Sequence, residues 1–188
     1  MTEHAIPRIT ATAGVTSMRE HRLTFSPRTD GPFEYDPSRV LPIANPTAMA
    51  FATKPFGGIW LSVDGGWERW CRNEMPHWLS NGTCEVTLVP GARIYEVRSM
   101  EDLERLPQRD APEGMWLGSG MCPCAHIDFE RMAKDYDGMF LNLSHGDPDL
   151  YFALYGWDCD SVLVFSADAI GQFGPLVADD EGNATCVA

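Results

Sequence analysis

The sequence is short of positive charge. Its 188 residues contain 14 Lys and Arg against 27 Asp and Glu, which gives a formal net charge of −13. A surface that binds nucleic acid needs clustered basic residues to neutralise phosphates, and a peripheral membrane surface needs a basic face. We therefore expect neither nucleic acid nor a membrane as a partner. Acidity of this degree does suit a protein that sequesters a basic partner.

Long apolar runs are also missing. No stretch approaches the roughly 20 apolar residues of a membrane-spanning helix, and the first residues, MTEHAIPRITATAG, lack the apolar segment of a secretory signal. The sequence thus predicts a cytoplasmic protein with reduced cysteines. Cys122, Cys124 and His126 lie close together, but zinc-binding cysteine pairs usually have two intervening residues and this pair has one. We therefore expect no metal site.

Neither an internal repeat nor a linker divides the chain. Hydrophobic residues make up 44% of it, and a chain of this length buries enough of them to form one core. Residues 1–18 and 173–188 are polar or rich in small residues, so we expect both ends to be flexible. This leaves one domain over residues 19–172.

Hydrophobic periodicity predicts more strands than helices. Alternation predicts a first strand over residues 21–25, and Ser99 with Asp102 three residues later is close to a capping box that begins a helix over residues 99–106. Because strands and helices do not alternate as in βαβ units, the predicted class is α+β, a single domain with a mixed, mainly antiparallel sheet or two packed half-sheets. Further strands are predicted over residues 59–62, 84–89, 92–97, 138–143, 150–155 and 161–165, and further helices over residues 67–74 and 127–135.

Several local motifs, taken in their order, resemble the ADP-ribosyltransferase superfamily in its diverse bacterial and phage members. The resemblance spans Arg22 to Ile170 and rests on the order of the motifs more than on any one of them. The motifs are Arg22 with Thr24 in the first strand, Gly57-Gly58-Ile59-Trp60-Leu61-Ser62 before a helix, Ala92-Arg93-Ile94-Tyr95-Glu96-Val97 before a Ser-capped helix, Tyr136-Asp137-Gly138, and Ser161-Val162-Leu163-Val164-Phe165 followed by Ile170.

The resemblance implies an enzyme that uses NAD as a substrate and transfers ADP-ribose to a macromolecular acceptor, in the first place a protein. It implies a conflict between a phage and a bacterium as one setting. Arg22 and Thr24 would belong to the part that grips the pyrophosphate or ribose, and Ser62 would orient the nicotinamide carboxamide. Trp60 or Tyr136 would cover the nicotinamide ring.

The carboxylate is the weakest part of the resemblance. Cleavage of the nicotinamide–ribose bond builds positive charge on the ribose, which a nearby carboxylate stabilises. The superfamily places a Glu before its last core strand, whereas this sequence has Asp158 and Asp160, each one methylene shorter. A shift of about 1 Å can cost on the order of a hundredfold in rate. Either the site is rearranged around an Asp, or binding is kept and catalysis lost.

Three functions therefore stay open. The first is ADP-ribosyl transfer, with Asp160 and then Asp158 as the catalytic carboxylate, both expected on one face of the final hairpin. The second is a non-catalytic acidic protein on the same scaffold that inhibits a basic partner. The third is hydrolysis of NAD without an acceptor.

Each candidate residue also has a purely structural interpretation. Arg22 would be a surface arginine on a strand whose Leu23 faces the core, and Trp60 would be a core residue. Ser62 would end its strand in a turn. One of the two aspartates would be solvated while the other caps a turn.

Overall fold

The computed structural model describes residues 14–27, 33–46, 53–80, 82–110 and 125–178. The strands are β1 (Val15–Thr16), β2 (Leu23–Phe25), β3 (Ile59–Val63), β4 (Gly82–Leu88), β5 (Ile94–Val97), β6 (Gly138–Leu141), β7 (Ser161–Val164) and β8 (Ile170–Ala178). They form one sheet in the order β1-β5-β6-β7-β3-β2-β4-β8. Only β5 and β6 pair in parallel among these strands; the other neighbours are antiparallel.

The predicted class is confirmed: the chain is a single α+β domain with a mixed, mainly antiparallel sheet. Hydrogen-bonded strand pairs connect all eight described strands, so they form one sheet. The α-helices of the described residues are α1 (Gly66–Glu74), α2 (Met100–Arg105), α3 (Phe129–Met132) and α4 (Leu150–Ala153). Helix α2 begins as predicted, because Ser99 Oγ accepts the Asp102 N–H at 3.1 Å and donates to the Asp102 carboxylate at 2.7 Å. Among the described residues, no helix combines the length and apolar character needed to cross a bilayer.

The central strands are buried on both faces, which divides the core into two clusters. On one face, Tyr95, Met139 and Leu163 pack under residues of α2, α3 and α4. On the other face, Ile94 and Phe140 belong to the second cluster. Strand β3 continues this alternation, since its odd-numbered residues join the second cluster while Trp60 and Ser62 lie on the first face.

One predicted strand is wrong, and strands β1 and β8 were not predicted. Residues 150–155 were expected to alternate as a strand, but they form α4 and the turn after it. Leu150, Ala153 and Leu154 are buried while Tyr151 and Phe152 are exposed, which is the three-and-four spacing of a helix. The apolar run itself does not distinguish the two periods.

Strand β8 was not predicted. It contains Gly171, Gly174 and Pro175, a composition that favours a loop, yet it lies at the edge of the sheet and pairs only with β4. An edge strand tolerates a proline, because one of its sides has no ladder hydrogen bonds to lose. The sheet therefore extends beyond the expected boundaries at residues 19 and 172, since β1 and residues 173–178 belong to it. Residues 1–13 and 179–188 lie outside the described residues.

Candidate ligand-binding cleft

A cleft of about 430 Å³ lies over β2 and β3, beside α1. This is within the range of volumes of small-molecule sites. The rings of Trp60 and Trp157 meet edge to face with centroids 4.5 Å apart, and those of Trp67 and Trp78 are stacked at 6.2 Å. All four rings line the cleft together with Phe25. The walls thus offer planar apolar surface to a ligand.

Three of the residues selected from the sequence line this cleft: Thr24, Trp60 and Ser62. Trp60 and Ser62 share a face of β3 because they are two residues apart. Thr24 lies opposite Ser62 in the β2–β3 ladder and faces the same side. Strand register therefore brings together residues that are distant in sequence.

A carboxylate organises the polar side of the cleft. Glu68, in the first turn of α1, accepts hydrogen bonds from Thr24 Oγ1 at 3.1 Å and Ser26 Oγ at 3.2 Å on one oxygen. Its other oxygen accepts from Ser62 Oγ at 2.9 Å. Because an ionised carboxylate only accepts, all three hydroxyls must donate to it. Each hydroxyl keeps acceptor capacity, although Thr24 and Ser62 are largely buried and Ser62 also accepts the Trp67 N–H.

Ser62 has a second contact that fixes its orientation. The Trp67 N–H at the start of α1 donates to Ser62 Oγ at 3.0 Å. The residue before the helix, Gly65, has a left-handed conformation and no side chain to cap it. Ser62 therefore satisfies an amide of the helix N-terminus from the neighbouring strand. Sequence reasoning missed Glu68, whose partners Thr24 and Ser26 are 44 and 42 residues away.

Lys54 is the one Lys or Arg among the described residues that line the cleft. Its Nζ lies 5.2 Å from the centroid of the Trp60 ring and 4.0 Å from Asp158 Oδ2. Burial lowers the pKa of the Lys54 amine, and the nearby Asp158 and Cys159 oppose this shift, although 43% of the side-chain surface stays exposed. The preceding Thr53 is anchored, because its hydroxyl donates to the Tyr155 carbonyl at 2.6 Å.

The two predicted catalytic aspartates lie in the loop before β7, not on a strand face, because β7 begins only at Ser161. Both line a groove of about 430 Å³ next to the cleft, and Cys159 between them lines both spaces. Burial raises the pKa of Asp158, against the effect of Lys54. Burial also raises the pKa of the Cys159 thiol to about 11, which keeps it protonated and unreactive near neutral pH.

Asp160, the first candidate for the catalytic carboxylate, has a structural role. Its Oδ1 accepts the backbone N–H groups of Leu143 at 2.7 Å and Ser144 at 2.9 Å. These amides follow β6, so Asp160 ties the end of that strand to the start of β7. Charge-assisted hydrogen bonds from two consecutive backbone amides to one carboxylate are the arrangement of a turn cap.

Arg22 and Tyr136 do not line the cleft. Arg22 Nε pairs with Glu85 Oε1 at 2.7 Å, and the two side chains are 60% and 63% exposed. Glu85 faces Thr24 across the β2–β4 ladder, so it meets Arg22 at the surface. Tyr136 is 2% exposed and packs edge to face on Tyr95 in the core, with centroids 5.1 Å apart. The roles implied for these two residues are therefore not supported by their positions.

The cysteine-rich motif is only partly described. Cys122 and Cys124 lie outside the described residues, while His126 lies within them. Among the described residues, no group of three or more His, Cys, Asp or Glu is arranged to hold a metal ion.

No protein family, curated protein or solved structure matches this chain. The resemblance to ADP-ribosyltransferases thus stays a prediction from motifs.

Proposed function

We propose that the chain binds NAD⁺ in this cleft and transfers its ADP-ribose to a protein acceptor. The observation that carries this proposal is the convergence of Thr24, Trp60 and Ser62 on one aromatic cleft. The motifs assigned these residues to ligand binding although Thr24 lies far from the other two in the sequence.

The chemistry of the cleft suits the nicotinamide end of NAD⁺. The oxidised ring is planar and positively charged, and the indole rings that line the cleft attract cations. Its carboxamide carries N–H donors, which match the acceptor lone pairs of Thr24 and Ser62. The reduced ring of NADH is neutral, so it lacks the attraction between a cation and an aromatic face. We therefore expect NAD⁺ to bind more tightly than NADH.

Lys54 and Asp158 complete the assignment. Lys54 supplies positive charge for the pyrophosphate at the edge of the cleft, the role that Arg22 was expected to have. Asp158, 4.0 Å from the Lys54 amine, is assigned as the carboxylate that stabilises charge on the ribose. Of the two predicted acids it is the one whose oxygens accept no backbone amide among the described residues.

Binding is tested by thermal unfolding with NAD⁺, NADH and ADP-ribose. NAD⁺ should raise the melting temperature with concentration, because a ligand of the native state stabilises it. Ser62→Ala should weaken NAD⁺ binding by tenfold or more. Ser166→Ala is the matched control, since Ser166 also caps a backbone amide but lies after β7. A flat melting temperature of the parent in millimolar NAD⁺ would contradict the proposal.

Turnover is tested by nicotinamide release with a bacterial lysate as acceptor. Asp158→Asn should reduce release by a hundredfold or more while keeping NAD⁺ affinity, as expected for a charge stabiliser. Release without label on any protein would indicate hydrolysis in place of transfer. The alternative function is that of a non-catalytic acidic protein that inhibits a basic partner, and the net charge of −13 favours it. That function predicts no release, together with a basic binding partner that dissociates at high salt.

A further inference from the structure

A larger cavity, of about 570 Å³, lies on the other face of the sheet. Leu23 and Val86 line it, and they alternate with Thr24 and Glu85, which face the cleft side. The cavity is bounded by the segment from Val15 to His21 and by the turn between β4 and β5. Its apolar wall is formed by Met18, Leu23, Val86, Leu88 and Ile94.

The charge of this cavity is opposite to that of the chain. Its lining contains Arg19 and His21 and, among the described residues, neither Asp nor Glu. The whole chain has nearly twice as many acidic as basic residues, 27 against 14. Within the described part of the chain, the Arg19 guanidinium forms no ion pair, whereas Arg22 and Arg93 each pair with a carboxylate.

His21 is held in a fixed orientation at this cavity. Its Nδ1 lies 2.7 Å from Asp64 Oδ2. Asp64 is fixed in turn, because its other oxygen accepts the Arg22 N–H at 2.9 Å and its own N–H donates to the Arg22 carbonyl at 2.9 Å. Because a carboxylate only accepts, Nδ1–H donates to Asp64, and in the neutral ring Nε2 is then an acceptor that does not bind an anion. The ring also packs against Phe140, with centroids 5.4 Å apart.

We propose that this cavity binds a small amphipathic monocarboxylate. The carboxylate accepts hydrogen bonds from the Arg19 guanidinium, and the hydrocarbon tail packs on Leu23, Val86 and Ile94. A guanidinium matches the two oxygens of a carboxylate, and the volume is that of a small-molecule site. Charge complementarity excludes a cationic amphiphile, and the apolar wall excludes a simple inorganic anion as the preferred ligand. This inference is independent of the function proposed for the cleft.

The direct test is titration of the full-length protein with octanoate by calorimetry, with hexanoate and octanol for comparison. Octanoate should bind about fifteenfold more tightly than hexanoate, because each of its two additional methylenes contributes about a fourfold gain when buried. Octanol has the same tail without the charge and should bind at least tenfold more weakly than octanoate. No binding of octanoate, or equal binding of octanol, would overturn the proposal.

Variants locate the site. Arg19→Gln should weaken octanoate binding by tenfold or more. The matched control is Arg39→Gln, because Arg39 is another exposed arginine in a 3-10 turn, paired with Asp36, and it does not line the cavity. Equal loss in both variants would show a nonspecific charge effect and contradict the assignment.

A second variant tests the tail pocket without altering charge. Ala92 lines the cavity and is partly buried, so Ala92→Leu should occupy part of the volume and weaken octanoate binding by at least tenfold. NAD⁺ should neither compete with octanoate nor change its affinity, because the cleft is on the opposite face. Competition between the two ligands would place octanoate in the cleft and overturn the proposal.

Discussion

Two parts of the same face of the sheet differ in how they are covered. Along β5, β6 and β7 this face carries Tyr95, Met139 and Leu163, which are covered by three helices and sealed from water. Along β2 and β3 the same face carries Thr24 and Ser62, which border an open cleft. Strand alternation is identical in the two parts. The elements that cover this face decide whether a stretch of sheet becomes closed core or the wall of a cleft.

The packed part should give the largest stability effect. Leu141 is fully buried, so Leu141→Ala should lower the free energy of unfolding by about 2–5 kcal/mol through lost burial and the cavity left behind. The affinity for NAD⁺ should be unchanged below the new melting temperature. Chemical denaturation and calorimetry measure the two quantities. Loss of NAD⁺ binding in the folded variant would mean that the two parts are not independent.

Asp158 and Asp160 provide the next contrast, between neighbours with different roles. Asp160→Ala leaves the amides of Leu143 and Ser144 without their acceptor, which should cost about 1–3 kcal/mol of stability. Nicotinamide release should be retained in the folded protein. Asp158→Asn should show the reverse pattern. If Asp160→Ala kept full stability and lost turnover, Asp160 would be the catalytic carboxylate after all.

Ser99, in the packed part, and Ser62, at the cleft, can be compared directly. Ser99 and Ser62 each accept a backbone N–H near the start of a helix. Ser99→Ala and Ser62→Ala should therefore each cost about 1 kcal/mol in thermal or chemical unfolding. Only Ser62→Ala should weaken NAD⁺ binding, because only Ser62 lines the cleft. Equal NAD⁺ affinity in the two variants would mean that Ser62 only caps the helix and does not bind the ligand.

These contrasts show what the sequence could predict. The Ser99 cap and strands β2 and β3 depend on neighbouring residues and were predicted correctly. The grouping of Thr24, Trp60 and Ser62 came from motif order, although nothing in the local sequence specified their partner. Glu68 meets Thr24 only because β2 pairs with β3 and α1 folds back over both.

The errors have the same physical origin. Asp160 was expected to alternate on a strand, but the amides that it accepts belong to residues 143 and 144, whose position depends on how β6 ends beside β7. Lys54 follows a segment with no periodic pattern, and its place beside Trp60 is set by the Thr53 contact with α4's C-terminal turn. Sequence patterns predict which face of a helix or strand is buried. Contacts between two elements depend also on the register in which the strands pair.

The smallest expected effect concerns Arg22, which lies next to the cleft strands but contacts Glu85 instead. Both side chains are more than half exposed, and exposed ion pairs contribute only about 0–1 kcal/mol. Arg22→Gln should thus change the unfolding free energy by less than about 0.5 kcal/mol, and Glu85→Gln should match it. Neither should alter NAD⁺ affinity, whereas Lys54→Gln should weaken it by tenfold or more, because Lys54 lines the cleft and Arg22 does not. The three variants are compared by calorimetry with NAD⁺ at low ionic strength, where a charge contribution is largest. If Arg22→Gln weakened NAD⁺ binding and Glu85→Gln did not, Arg22 would have to leave Glu85 when the ligand binds. The anchor implied by the motif would then be the arginine, and the assignment of Lys54 would be wrong.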